Sequence, residues 1–196
     1  MDILISKQMK KGMMILLFGI SSCVVALAQQ NYPVIGKPLP VVHFSEVQYH
    51  EKQSLSNGDF EGKWLILYGW NRYCSLCLGK MPLLSQLQAN YKDQLNILLV
   101  GYNGSRYTKR SDDAAIRSLY ERNRVEEQLN LAIAYDSLMF HQFNLGPSPY
   151  IIIADPKGVV RYLTSGFNGK QLEEILQGKD VELKKAYRRD ERLKRN

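Results

Sequence analysis

Two cysteines separated by two residues, Cys74 and Cys77, follow closely on the nearly all-apolar stretch Trp64–Trp70 (WLILYGW). An unbroken apolar run of this length is typical of a central parallel strand that is covered on both faces. Apolar residues recur at helical spacing in Met81–Tyr91, which predicts a helix that begins near Cys74 and is bent at Pro82. The sequence therefore predicts a dithiol at a strand-to-helix junction.

This position predicts different roles for the two thiols. Backbone N–H groups and the helix dipole stabilise an anion at a helix N-terminus, and they lower a thiol pKa from about 8.5 to about 3.5–7.5. We predict that Cys74 is the exposed nucleophile that attacks a disulfide. Cys77, one turn further and more buried, is predicted to resolve the mixed disulfide.

A C-x-x-C pair has two other possible uses. A zinc site needs two further Cys or His ligands, and His43, His50 and His141 are isolated in the sequence, so we expect neither a metal nor another cofactor. A permanently closed structural disulfide stays open as an alternative. It does not require the strand-to-helix placement, however, and a C-x-x-C in a parallel α/β pattern is typical of a redox motif.

The N-terminal segment has the parts of a secretory signal peptide. Lys10 and Lys11 precede an apolar run, Met13–Ala28, that ends in Ala-Leu-Ala, and its 16 residues are fewer than the roughly 20 of a transmembrane helix. We predict cleavage after Ala28 and export to the periplasm or cell envelope. Lipoprotein processing at Cys23 and retention as a membrane anchor are the alternatives.

The net charge of +7 is concentrated at the two ends of the chain. Residues 1–28 carry a net +2 and residues 179–196 a net +4, so the part between them is nearly neutral. We therefore expect no nucleic-acid partner. A length of 196 residues predicts one domain, which we place at 41–178, after an extended proline-rich leader at 29–40. The basic C-terminal tail, 179–196, is expected to be a solvated helix or to make weak contact with anionic lipid.

Apolar runs and turn residues give the order of the predicted elements. Strands are predicted at Val41–Phe44, Trp64–Trp70, Leu95–Tyr102, Leu131–Tyr135, Tyr150–Ile153 and Val159–Leu163, and the last helix at Gly169–Leu176. The turn at Asp155–Gly158 predicts that the last two strands form an antiparallel hairpin. The pattern βαβαβ followed by ββα predicts an α/β fold with a mixed sheet and helices on both of its faces.

Three segments resemble exported thioredoxin-like proteins of the TlpA/ResA type. The segment Leu67–Pro82 resembles that family's F-W-A-x-W-C-x-x-C-x-x-E-M-P motif, and Leu55–Lys63 is similar to its L-S-D-F-K-G-K lead-in. Pro149, with Asp155 and Gly158 after it, is similar to its V-P-T-x-F-L-I-D-x-x-G stretch. The resemblance covers about residues 38–178. It implies a thioredoxin fold and disulfide exchange with protein substrates.

The resemblance also implies a set of substrate-binding residues. The bond between Ser148 and Pro149 is expected to be cis and to lie beside Cys74, so that Ser148 can pair with an extended substrate segment. Trp70 and Tyr73, just before the dithiol, are expected to form the rim that contacts the substrate.

The sequence departs from the family at the proton-relay positions. Lys80 stands where the family has a carboxylate, and Tyr68 where thioredoxin has a buried Asp. Our hypothesis is that Lys80 and Arg72 favour the Cys74 thiolate electrostatically and raise the reduction potential. The alternative is that Lys80 points into solvent without such an effect.

These observations predict an exported thiol-disulfide oxidoreductase whose partners are the thiols and disulfides of exported proteins. If it works as a reductase, a membrane electron donor must re-reduce it, because a dithiol holds only two electrons. A non-catalytic thioredoxin-fold binding module with a structural disulfide is the alternative. A peroxidase is disfavoured because the Pro and Thr that precede a peroxidatic cysteine are absent around Cys74 and Cys77.

Overall fold

The computed structural model of the protein describes residues 32–105 and 110–194. The predicted signal peptide, the alternative lipidation site at Cys23 and the first residues of the leader lie outside the described residues, so these assignments stay predictions. None of the helices in the described ranges is long and apolar enough to cross a bilayer.

The order of strands and helices follows the order predicted from the sequence. The strands are β1 (His43–Phe44), β2 (Val47–Gln48), β3 (Leu55–Ser56), β4 (Trp64–Trp70), β5 (Leu95–Gly101), β6 (Ala132–Tyr135), β7 (Tyr150–Ala154) and β8 (Val160–Thr164). The helices are α1 (Ser75–Asn90), α2 (Asp113–Glu126), α3 (Leu138–Gln142), α4 (Gly169–Leu176) and α5 (Arg189–Leu193). Helix α1 continues through Pro82. The strands β2 and β3 were not predicted, because two residues are too few to show a hydrophobic period.

Six of the described strands form one mixed sheet in the order β2-β6-β5-β4-β7-β8. The strands β4, β5 and β6 are parallel, whereas β2, β7 and β8 run antiparallel to their neighbours. The predicted hairpin of β7 and β8 is confirmed, and so is the mixed sheet. The strand β4 lies in the middle of the sheet. The dithiol follows its carboxyl end and therefore lies midway along the side of the sheet where the parallel strands end.

The alternation of side chains along β4 divides the core into two layers. Leu65 and Leu67 belong to the layer that contains α3, whereas Ile66, Tyr68 and Trp70 belong to the layer that contains α1, α2 and α4. Since both faces of β4 are covered, the strand is apolar at nearly every position. The prediction of helices on both faces is confirmed.

The outer edge of β8 is covered at its two ends by segments outside the predicted 41–178 domain. In the leader, the backbone N–H of Gly36 donates to the carbonyl of Val160 at 2.8 Å, and the N–H of Val160 donates to the carbonyl of Lys37 at 2.9 Å. Towards the C-terminus, the N–H of Ala186 donates to the carbonyl of Leu163 at 3.0 Å. These hydrogen bonds occupy backbone groups that an exposed edge strand offers to other chains.

The C-terminal segment (residues 179–194) packs on the domain, which corrects the expectation of a solvated tail. Ala186 is buried, and a Cβ at Gly146 would lie 1.9 Å from the backbone oxygen of Tyr187, so the two backbones are in contact. The guanidinium of Arg188 pairs with the carboxylate of Asp190 at 3.0 Å. The basic composition suggested exposure, but backbone hydrogen bonds to Leu163 and Asn144 hold the segment in place. Contact with a membrane stays a prediction.

Candidate active site

The dithiol lies where the central strand β4 ends and helix α1 begins. Cys74 is the N-cap of α1, and its Sγ accepts a hydrogen bond from the backbone N–H of Cys77 at 3.2 Å. The two cysteines form a disulfide with Cα atoms 5.2 Å apart. The predicted strand-to-helix placement of the pair is confirmed, and the N-terminus of α1 directs an N–H group at the first sulfur.

The two sulfurs differ in their access to solvent. Cys74 is partly exposed, whereas Cys77 is fully buried beneath the first turn of α1. The burial of Cys77 follows from the helical period, because it lies on the same face as Met81 and Leu84, which pack on the sheet. An incoming group therefore has access to Cys74 first.

The loop before β7 lies against the dithiol loop. The bond between Ser148 and Pro149 is cis, as expected. The side chain of Asn71, which is buried, donates from Nδ2 to the Ser148 hydroxyl at 2.9 Å and accepts the backbone N–H of Tyr73 at 2.9 Å. Asn71 thus ties the loop before Cys74 to the loop before β7.

The rim of the site consists of Tyr73 and Leu76, which are 47% and 75% exposed. Trp70, which we predicted on this rim, is fully buried and packs beside Tyr120 with ring centroids 6.3 Å apart. This prediction is wrong because Trp70 is the last residue of β4 and shares the sheet face of Ile66, which is covered by helices. Leu76, between the two cysteines, supplies the exposed apolar surface instead.

A cavity of about 310 Å³ opens beside the dithiol, and we call it the active-site cavity. Its lining includes Tyr68, Leu76, Lys80, Ser148, Pro149, Phe167 and Lys184. Burial raises the pKa of the Tyr68 phenol, so this group stays neutral at physiological pH. Its hydroxyl lies 3.5 Å from the Cys77 carbonyl. Tyr68, at the position where the resemblance places the buried Asp of thioredoxin, is therefore uncharged.

The two candidates for tuning the Cys74 thiol have different surroundings. The guanidinium of Arg72 lies 2.9 Å from the buried carboxylate of Asp112 and 4.4 Å above the ring of Tyr73. The charge of Arg72 is thus offset by a nearby anion. Lys80 is exposed on α1 and faces the active-site cavity. Of the two, Lys80 is the better placed to act on the dithiol through its charge.

The part of the chain that the structure describes contains no group of three or more His, Cys, Asp or Glu residues arranged to hold a metal ion. His43 and His141 are exposed and His50 is half-buried.

A family model named AhpC/TSA matches residues 35–163, about two thirds of the chain. The chain belongs to the AhpC/TSA family. This chain is similar to the thioredoxin-like protein YneN of Bacillus subtilis. The two sequences are 27% identical over 128 residues, which cover 64% of this chain and 69% of YneN. The thiol-disulfide oxidoreductase ResA of Geobacillus kaustophilus is 23% identical over 138 residues, 70% of this chain and 72% of ResA.

Solved structures confirm the thioredoxin fold of this AhpC/TSA chain. A thiol-disulfide isomerase from Corynebacterium glutamicum superposes with a TM-score of 0.60 at 20% identity, covering 75% of this chain and 97% of that one. The thioredoxin domain of a thiol-disulfide oxidoreductase from Bacteroides vulgatus superposes with a TM-score of 0.56 at 19% identity, covering 74% and 96%. The predicted likeness to proteins of the TlpA/ResA type is confirmed.

Sequence reasoning missed Asn71 and Leu76 next to the dithiol, and Lys184 in the lining of the active-site cavity. Asn71 is a polar residue that directly follows an apolar strand and precedes the dithiol loop, and that position is a usable signal for a buried polar anchor. Leu76 lies between the cysteines on the first turn of α1, where the residue between two inward positions faces outward.

Proposed function

We propose that this chain is a thiol-disulfide oxidoreductase of the cell envelope that exchanges disulfides with exported proteins through Cys74 and Cys77. The observation that carries the proposal is the disulfide at the N-terminus of α1, with one sulfur accessible and the other buried. After reduction of such a bond, the accessible sulfur is a stabilised thiolate and the buried thiol lies within reach of it. The names of the two curated relatives and the fold agree with this chemistry.

In the reducing direction, the Cys74 thiolate attacks one sulfur of a substrate disulfide. A bond between Cys74 and the substrate forms, the substrate S–S bond breaks, and the released substrate thiolate takes a proton from solvent. Cys77 then loses its proton and attacks Sγ of Cys74, which restores the disulfide and releases the second substrate thiolate. Two electrons pass from the dithiol to the substrate. The same steps in reverse oxidise a substrate dithiol.

The surroundings of Cys74 support a substrate site formed by Tyr73, Ser148 and Pro149. Tyr73 is half exposed beside Cys74, and Ser148 and Pro149 line the active-site cavity together with Leu76. The hydrogen bond from Asn71 to Ser148 fixes the distance between the two loops. An extended substrate segment that lies along the loop before β7 therefore passes over the exposed sulfur.

In the reducing direction, the protein depends on a second dithiol protein that returns two electrons after each cycle. For an exported reductase, that donor is a membrane protein with a dithiol on the envelope side. Disulfide exchange itself requires no organic cofactor or metal ion.

Trapping of the mixed disulfide tests the proposal. Cys77→Ser keeps the attacking thiol but removes the resolving thiol, so it is expected to accumulate a covalent adduct with a peptide disulfide. Cys74→Ser, its matched control, is expected to form no adduct. The proposal is wrong if Cys74→Ser exchanges at the rate of the wild-type protein, or if both variants form the adduct equally.

The second candidate function is a non-catalytic binding module of the envelope. It is favoured by the lining of the active-site cavity, which carries Lys80 and Tyr68 where related enzymes have proton-relay carboxylates. A module is expected to keep its affinity for a partner in Cys74→Ser. An oxidoreductase is expected to lose its activity in the same variant.

A further inference from the structure

The active-site cavity combines apolar walls with two ammonium groups. Among its described lining residues, the charged ones are Lys80 and Lys184, and the others include Leu76, Leu83, Ile151 and Phe167. Within residues 32–105 and 110–194, neither lysine takes part in an ion pair. Both positive charges are therefore available to a ligand that enters the cavity.

Lys184 belongs to the C-terminal segment, and its backbone is fixed at the end of β8. Its carbonyl accepts hydrogen bonds from the N–H of Ser165 at 2.9 Å and from the hydroxyl of Thr164 at 2.7 Å. The Cα of Lys184 is thus held beside the cavity, and only the exposed side chain adjusts to a ligand. Less entropy is lost when a group on a fixed backbone binds a partner.

The surface next to the cavity is also basic. A neighbouring groove shares Ser165 and Lys184 with the cavity and is further lined by Lys185 and Arg192. Lys185 lies 3.7 Å from the carboxylate of Glu191, so its charge is partly offset. The cationic side chains beside the loop before β7 favour an anionic side chain on a bound segment.

We propose that the active-site cavity selects substrate proteins whose reactive cysteine is flanked by an apolar and an acidic side chain. This inference rests on the proposed function and names its substrate class. The apolar side chain enters between Leu83 and Phe167, and the carboxylate lies between Lys80 and Lys184. Charge complementarity and the position of the cavity beside Pro149 indicate that the occupant is an acidic protein segment.

Activated peptide disulfides test this selection. Each peptide has a central cysteine joined to 2-thiopyridine, a leucine on one side, and Glu, Ser or Lys at two nearby positions. Release of thiopyridone gives the rate constant for attack by the reduced protein. Exposed ion pairs of this kind change a rate constant by about two- to fivefold each. We therefore expect the Glu peptide to react about four- to 25-fold faster than the Ser peptide, and the Lys peptide to react slowest.

Variants assign the preference to the two lysines. Lys80→Ser and Lys184→Ser are each expected to reduce the Glu-to-Ser rate ratio by about two- to fivefold, and the double variant to bring it close to one. Lys157→Ser, in the turn at the far end of β7, removes the same charge and is expected to keep the wild-type ratio. The ratio also cancels any uniform effect of Lys80 on the Cys74 thiolate. Raising the salt from 0.05 to 0.5 M is expected to reduce it, because exposed charges are screened.

Three results would contradict the inference, and the measurements distinguish them from one another. Equal rates for the three peptides overturn the selection but leave the proposed function standing, since exchange has occurred. Absence of exchange with every peptide overturns the proposed function and this inference with it. If the double variant loses sedimentation with phosphatidylglycerol vesicles but keeps the wild-type rate ratio, the lysines bind lipid and the inference is wrong.

Discussion

Replacement of Gly146 by alanine tests the packing of the C-terminal segment against the loop before β7. A Cβ at this position would lie 1.9 Å from the backbone oxygen of Tyr187 and 3.1 Å from its carbonyl carbon. Ordinary van der Waals separations begin near about 3.5 Å, so the segment has to move by more than about 1.5 Å. Both of these Tyr187 atoms belong to the backbone, so a change of side-chain rotamer cannot relieve the clash.

The expected cost follows from what such a movement breaks. The N–H of Ala186 donates to the carbonyl of Leu163 at 3.0 Å, and the N–H of Arg189 donates to the carbonyl of Asn144 at 3.1 Å. Each hydrogen bond contributes about 1 kcal/mol, and overpacking alone costs about 1–3 kcal/mol. We therefore expect Gly146→Ala to lower the free energy of unfolding by about 3–5 kcal/mol.

Denaturant unfolding of the oxidised protein measures this change. Gly79→Ala is the matched control, because a Cβ there meets no atom within 4 Å and Gly79 lies inside α1. Alanine in a helix interior is more favourable than glycine by about 0.5–1 kcal/mol, so the control is expected to be slightly more stable than wild type. If Gly146→Ala is as stable as wild type, the C-terminal segment does not contact the loop as described. Faster hydrogen exchange of the Ala186 amide in Gly146→Ala, but not in Gly79→Ala, would assign the loss to this contact.

Three further changes test the site and its electrostatics. Asn71→Ala removes two hydrogen bonds of a buried side chain, so we expect a loss of about 2 kcal/mol in unfolding free energy together with slower peptide exchange, and an unchanged exchange rate would contradict its positioning role. Lys80→Glu is expected to raise the pKa of the reduced Cys74 thiol, measured by the pH dependence of alkylation, and equal pKa values in the two proteins would refute the hypothesis. The hydrogen bond from Arg124 lowers the pKa of Glu121 to about 2, below its ordinary value of 4.5. The stability that this pair provides is therefore present above pH 4.5 and is lost as the pH falls towards 2. Glu121→Gln is expected to lower the dependence of the unfolding free energy on pH in this range. An unchanged pH dependence would contradict the pairing.

The central fold could be predicted from the sequence because its elements are long and their patterns are unambiguous. Trp64–Trp70 is apolar at nearly every position and forms β4 with the predicted bounds, and Gly169–Leu176 forms α4 as predicted. The turn at Asp155–Gly158 defined the β7–β8 hairpin for the same local reason. Where a pattern of neighbouring residues determines an element, the sequence alone was sufficient to predict it.

The errors concern contacts between distant parts of the chain. Charge composition suggested a solvated tail, but the pairing of Ala186 with Leu163 depends on backbone groups that have no sequence signature. Trp70 was placed on the rim by its distance along the chain from Cys74, whereas the alternation of side chains in β4 directs it into the core. Lys184 was absent from the predicted site because it is 110 residues beyond Cys74 in the sequence.

The reduction potential of the Cys74–Cys77 pair tests the central claim most directly. Equilibration of the protein against glutathione and thioredoxin standards, followed by alkylation of free thiols, gives this value. We predict a potential between about −120 and −270 mV, the span of working oxidoreductases, and its position within that span separates an oxidant from a reductant. A potential well below about −300 mV is that of a structural disulfide, and it would contradict the proposed exchange activity.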